Sequence, residues 1–437
     1  MREEISLRDP GPILSETKLS DAVAPLDRWR TYAICLAGWL FDFYDLMIFA
    51  YLASAIAKDW SWGARAAEYK GLVVGVALAT SGLGGIVFGG LADRYGRKKV
   101  MTWTILIYSI STGLCGLSWG LWSLVAFRAL TGFGVGGEWA TGHALMAEIF
   151  PKEKRGRAAA LLQAGEPLGV ALAVIAGLWV APRLGWRFVF FLSALPAVLV
   201  LFVRRHVVES PLWLAQKDAP RRPFWEPYQE VWRNHRGIAF RAWLLGSSKL
   251  GTYWLTYVWL PEYFMELEAN ARAAGQTLPL AFSAIRLKFI LVAQGGQFVG
   301  MLLFGWFSDA VGRRPAFCLY SLITAAGLWA LAMHGAEIMA RPDLFWPAMI
   351  AVGFGSGCTA GFGALLAELF PTSVRNTAMG TVYNLARSFQ FVTQAVMGAL
   401  AVSVGVSHGL LLAFAFALFT ASWVWTFPET KGTELVH

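Results

Sequence analysis

The sequence predicts an all-α polytopic membrane protein of twelve transmembrane helices in two six-helix lobes. Three observations lead there. Of 437 residues, 57 % are hydrophobic and 15 % charged, where a soluble chain carries about 25 % charged residues. Apolar runs of roughly 18 residues or more recur from end to end, each long enough to cross a bilayer. Two loop signatures also recur at matching places in the two halves. The runs are too continuous for barrel strands, and lipid-facing backbone outside a closed barrel must be helical.

The elements follow in order. The stretch MREEISLRDPGPILSE has no apolar core, so residues 1–30 read as a polar tail rather than a cleaved signal peptide. Spans are expected at 31–57, 70–92, 99–119, 121–147, 157–180, 186–203, 239–264, 284–307, 315–333, 345–368, 376–402 and 407–427. Only SWG separates the third from the fourth. The polar, basic stretch 204–238 divides an N-terminal lobe, 31–203, from a C-terminal lobe, 239–427, and 428–437 forms a closing tail. Lys and Arg gather in DRYGRKK, PKEKRGR, DAVGRRP and PTSVR, whereas SWG and LPEYFMELEANARAAG face the other side. The excess of base places those four loops, the connector and both termini in the cytoplasm of a bacterial inner membrane.

Composition also narrows the function. The net charge of +9 lies in these loops and needs no nucleic-acid partner to explain it. Cys35, Cys115, Cys318 and Cys358 fall in apolar runs and read as small buried hydrophobes. No GxxxxGK[ST] is present, which argues against an ATP-driven pump, and no zinc-like spacing is present, so no cofactor or metal is expected.

GGLADRYGRKK at 89–99 returns as GWFSDAVGRRP at 305–315, and AEIFPKEKRGRA at 147–158 returns as AELFPTSVRNTA at 367–378. Offsets of 216 and 220 residues at equivalent loops mark a six-plus-six repeat. That is the architecture of a transporter with a cavity between its lobes, working by alternating access as a monomer.

On these motifs the chain resembles the major facilitator superfamily. Gly89, Asp93, Gly96 and Arg97 fit its signature for the loop between spans two and three. The second copy keeps Gly305, Asp309, Gly312, Arg313 and Arg314 but has Ala310 where the first has Arg94. The run from Arg128 to Glu138, RALTGFGVGGE, resembles the fourth-span motif of metabolite:proton symporters, and VVESP at 207–211 and PETKG at 428–432 are similar to marks of sugar porters. In the superfamily the signature aspartate and arginine stabilise the outward-facing state. The resemblance implies that Asp93, Arg97, Glu148, Asp309, Arg313 and Glu368 gate the cytoplasmic side, with clasps of unequal strength. The bland alternative for these residues is helix capping and topology charge.

Charge inside a membrane usually faces a cavity or a partner. The candidates are Asp42, Asp45, Arg128, Glu138, Glu166, Lys249 and Arg387, while Lys288 lies nearer a span end, where it can snorkel. Asp45 in FYD resembles the first-span aspartate of proton-coupled sugar porters, which faces a fourth-span arginine, here Arg128. A carboxylate that meets a guanidinium in one conformation and leaves it in another changes proton affinity through the cycle. A permanent structural ion pair is the competing reading. Asp42 sits one turn from Asp45 and either holds a proton or caps a broken region of span one. Glu138 is a cavity acid or a network member, and Gly132, Gly134, Gly136 and Gly137 before it suit close helix packing.

Glu166 and Arg387 each lie some ten residues beyond a basic loop, about 15 Å or half the hydrocarbon thickness. Arg387, flanked by Asn384, Gln390 and Gln394, can grip a carboxylate with its fork, and Lys249 is a second positive centre. Trp39, Phe43, Tyr253, Trp254, Tyr257 and Tyr383 can wall a small site or simply pack. The expected function is proton-coupled symport of a small organic anion: a monocarboxylate, an aromatic acid or a sugar acid. The alternatives are a sugar or polyol symporter, if Arg387 and Lys249 pair internally with acids, an uncoupled facilitator or exchanger, and a transporter-like nutrient sensor. An enzyme would need a nucleophile and base in mutual reach.

Overall fold

Pro25 opens the first helix at a position that suits its fixed φ and missing N–H. The computed structural model describes residues 23–150, 158, 161–216, 223–275, 282–370 and 375–431. Helix α1 (Pro25–Asp59) is followed by α2 (Ala66–Tyr95), α3 (Arg97–Cys115) and α4 (Leu121–Ile149). Next come α5 (Gly165–Ile175, continued through a π turn at Ala176–Val180 to Ala181–Leu184) and α6 (Trp186–Leu192, Leu195–Val198 and Leu199–His206). Two short helices, Pro211–Gln216 and Glu226–Asn234, lie in the connector. The second half contains α7 (Arg236–Ala273), α8 (Phe282–Val311) and α9 (Arg313–Ala340). It ends with α10 (Pro342–Ser356, a 3-10 stretch at Gly357–Gly361, and Phe362–Leu369), α11 (Arg375–Ser403) and α12 (Val406–Trp423). The basic loops after α4 and α10, 151–157 and 371–374, and the expected tails 1–22 and 432–437 lie outside the described residues.

Eight of these helices are long and apolar enough to cross a membrane by composition alone; α3, α4, α7 and α11 fall short among the described residues. The last three carry the buried charges Arg128, Glu138, Lys249 and Arg387. Their lower hydropathy and the polar interior are therefore the same fact. One expected boundary is corrected: α7 does not end at 264 in a loop. It runs through Pro261 to Ala273, so LPEYFMELEANARA is helix.

Three seams join the lobes: α2 on α11, α5 on α8, and α1 on α7. The first depends on small residues. A Cβ at Gly71 would stand 2.5 Å from the Gln394 carbonyl oxygen, and one at Gly82 2.4 Å from that of Asn384. Backbones thus meet where a side chain would hold them apart. Gly132 and Gly136 do the same inside the first lobe, since a Cβ there would stand 2.0 Å from the Ala77 oxygen and 1.7 Å from the Ser81 oxygen. Gly96 and Gly312, at φ 96° and 106°, occupy left-handed backbone before α3 and α9.

Candidate functional site

Asp42 and Asp45 are fully buried on α1. Arg128 reaches them from α4, but not as expected. Its Nη1 donates to the main-chain oxygen of Asp45 at 2.6 Å and its Nη2 to that of Leu46 at 3.0 Å. No Asp45–Arg128 ion pair forms, and all four carboxylate oxygens of Asp42 and Asp45 lack a hydrogen-bond partner. The guanidinium satisfies itself on carbonyls of α1, which leaves the acid beside it open. Glu138 accepts from Thr104 Oγ1 at 2.8 Å through Oε2, while Oε1 has no partner. Its carboxylate lies against Gly38, one turn before Asp42, where a Cβ would come within 2.7 Å. Three acids thus share one lobe without an ion pair among the described residues.

The second lobe holds the reverse. Arg387 is buried on α11 and makes no ion pair among the described residues. Nη2 lies 3.5 Å from the Tyr383 hydroxyl, the group sits 5.1 Å over that ring, and Nε and Nη1 have no partner. Lys249, buried on α7, likewise has no hydrogen-bond or ion-pair partner among the described residues. The expected neighbours divide. Gln390 is committed to packing, donating to Ser247 O at 3.1 Å and Ala386 O at 2.8 Å and accepting from Thr393 at 2.8 Å. Gln394 accepts from Trp259 Nε1 at 2.9 Å. Asn384 lies against Gly85 of α2 with its amide unpartnered.

Glu166 on α5 meets neither cation directly. Gln163 donates to one of its oxygens at 2.7 Å and Gln297, from α8 in the other lobe, to the second at 2.8 Å. Aromatic rings enclose this region. Phe43 of α1 faces Trp254 and Tyr253 of α7, each at 6.1 Å, and Trp39 packs on Phe43 at 4.9 Å. Trp139 of α4 stacks on Tyr383 of α11 at 4.2 Å and 12°. At the end of the molecule where α2 meets α3, a cavity of about 200 Å³ is lined by Arg97, Tyr228, Thr381, Trp139 and His143. Trp139 lines this cavity, and its stacking partner Tyr383 stands one helical turn from Arg387 on α11.

At the opposite end the lobes are locked together. Lys70 of α2 pairs with Glu262 of α7, donates to Val258 O at 2.7 Å and lies 5.1 Å over the Trp259 ring. Tyr51 donates to Tyr257 O at 3.2 Å. Sequence reasoning missed Lys70, Glu262, Trp139, His143, Gln163 and Gln297. Lys70 stood at an assumed span start and Glu262 in an assumed loop.

Among the described residues, the ion pairs seen in the loop signatures fall within their own lobes. Arg97 pairs with Glu148 at 3.0 Å, and Arg313 pairs with Glu368 at 3.0 Å and with Asp309 at 2.5 Å. The Asp93 side chain lies outside what is described. VVESP and PETKG find a role here. Glu209 accepts the N–H groups of Arg97 at 2.9 Å and Lys98 at 3.2 Å, capping α3. Glu429 accepts those of Arg313 at 2.8 Å and Arg314 at 3.1 Å, capping α9. In the copy with Ala310, the Lys431 ammonium donates to that residue's carbonyl at 2.7 Å.

Residues 34–293 match the family model described as Major Facilitator Superfamily, and residues 344–437 that of Sugar (and other) transporter. The chain is 32 % identical to a probable 4-methylmuconolactone transporter of Cupriavidus pinatubonensis, over 93 % of this chain and 92 % of that one. It is 28 % identical to a sialic acid transporter of Escherichia coli, over 80 % and 81 %. Among solved structures it is similar to a D-xylose–proton symporter, with a TM-score of 0.71 at 20 % identity, covering 93 % of this chain and 99 % of that one.

Proposed function

The chain belongs to the Major Facilitator Superfamily, and from that premise we propose a proton-coupled symporter that carries a small organic anion by alternating access. It is a multi-pass membrane transporter of small organic substrates, not an enzyme. The observation that carries the finer reading is the buried Arg387 guanidinium, with Nε and Nη1 open and no acid paired to it among the described residues. A buried cation is costly unless something neutralises it. A cargo carboxylate gripped by that fork would do so, with Lys249 as a second positive centre. A relative named for sialic acid supports an acid as cargo.

Proton coupling rests on the other lobe. Asp42, Asp45 and Glu138 each have carboxylate oxygens without partners. A buried carboxyl whose oxygens meet no donor is cheaper neutral, so this cluster is suited to carry protons. In the reading we favour, the termini, residues 204–238 and the open cavity face the cytoplasm of a bacterial inner membrane. The six-helix units 31–203 and 239–427 then rock about the shut far end, and a monomer suffices.

Reconstitution in liposomes tests this. Labelled monocarboxylates, aromatic acids, sugar acids and neutral sugars are offered with and without an inward proton gradient. An anion that accumulates only with the gradient is the expected result. Accumulation of neutral sugars alone overturns the anion, and gradient-independent accumulation overturns the coupling.

A further inference from the structure

A second cavity, of about 280 Å³, opens between the start of α3 and the end of α6. Lys98, Lys99, Thr102, Trp103, Arg204 and Glu209 line it. The three cations form no ion pair among the described residues. The one acid is already engaged, its oxygens taking the N–H groups of Arg97, Lys98 and Ser210. Lys99 is held over the rings of Tyr95 at 5.6 Å and Trp103 at 5.4 Å. With three cations against one carboxylate whose oxygens are already engaged, the pocket presents a net positive charge.

Its surroundings indicate what kind of anion belongs there. On α6, Leu195, Val198, Leu201 and Arg204 recur every three residues, and the three apolar ones are exposed. On α3, Lys99, Trp103 and the exposed Ile110 share a face by helical spacing. Two apolar strips thus climb away from the basic pocket along membrane-crossing helices. Charge at one end and hydrocarbon surface beyond it match an amphiphile, not a soluble anion. We propose that this pocket binds the headgroup of an anionic phospholipid, with its acyl chains lying on the α3 and α6 strips. The site is separate from the cargo path and does not depend on the identity of the cargo.

Thermal unfolding of the delipidated protein in detergent tests it, with phosphatidylglycerol, phosphatidylcholine and glycerol phosphate as probes. Phosphatidylglycerol is expected to half-saturate at a concentration about tenfold or more below that of phosphatidylcholine, given three basic residues near the headgroup. The preference should fall to about onefold in 1 M salt. It should fall equally in the Lys98→Gln/Lys99→Gln/Arg204→Gln protein and persist in Lys98→Arg/Lys99→Arg. Equal response to both lipids in the unmodified protein overturns the proposal, as does a preference that survives high salt or the triple substitution. Stabilisation by glycerol phosphate equal to that by phosphatidylglycerol overturns the lipid and leaves a soluble-anion site. If the triple variant does not fold, the salt arm on the unmodified protein still decides.

Discussion

Replacing Arg387 with Met should do two opposite things. The side chain is almost wholly buried, makes one long hydrogen bond to Tyr383 and leaves two donors open. If a cargo carboxylate takes two N–H groups along one edge of the guanidinium, each charge-assisted bond is worth about 1.5–3 kcal/mol. Losing the lower value twice weakens binding by about 3 kcal/mol, or roughly 150-fold. Without cargo the change removes a buried ion with no direct ion pair among the described residues, whose cost in a membrane interior is at most about 2.5–3.5 kcal/mol on insertion scales. Met matches the stem, so the empty protein should become more stable, by about 1 kcal/mol or more once the Tyr383 contact is deducted. Arg387→Lys keeps the charge without the fork and should fall between the two. Equilibrium binding of the best carboxylate, together with melting curves with and without it, reads both effects. An unchanged Kd refutes the cargo role. A less stable empty protein refutes the premise that Arg387 is unpaired, because a structural arginine would leave partners stranded.

Asp45→Asn should abolish gradient-driven uptake while sparing counterflow exchange in liposomes; equal loss of both would mean a binding or folding role, and unchanged uptake would remove Asp45 from coupling. Lys70→Met strands Glu262 in a buried seam at about 3–5 kcal/mol. A single cysteine at the buried position 53, beside the Ser54 hydroxyl that lies 3.5 Å from Glu262, should then react faster with a membrane-impermeant thiol reagent, and Lys70→Met/Glu262→Met should restore slow labelling; no change in rate means the pair does not hold that end shut. Glu429 gives a pH signature. Burial raises its carboxyl, but the N–H groups of Arg313, Arg314, Lys431 and Thr430 outweigh that and hold it below the usual glutamate range. The stability it adds is present above its unfolded value and is lost as pH falls through the lower, folded one. Glu429→Gln should therefore lower Tm at neutral pH and flatten the acid-side loss, and parallel Tm–pH curves would contradict the capping role.

The fold was legible because lipid leaves long apolar runs and a duplicated loop needs no structure to be seen. Arg387 and Lys249 were legible for the same reason, since charge in hydrocarbon is conspicuous. What helical spacing does not encode is which atom a side chain meets. Asp45 and Arg128 do approach each other, but the guanidinium took main-chain oxygens rather than the carboxylate. Gln163 and Gln297 are uncharged amides and left no signal until Glu166 was seen between them. Pro261 disguised the continuation of α7 and, with it, the partner of Lys70.

The caps on α3 and α9 also bear on how the chain is made. Glu209 emerges just after α6 and Glu429 just after α12, so each half receives its closing residue last. A ribosome delivering this chain releases the first bundle with its cap already in hand before any of the second is complete. Two separately translated halves, cut in the connector, would each keep their own cap. Co-expressed, they should find one another through the glycine-lined α2–α11 seam and carry cargo as a two-chain protein.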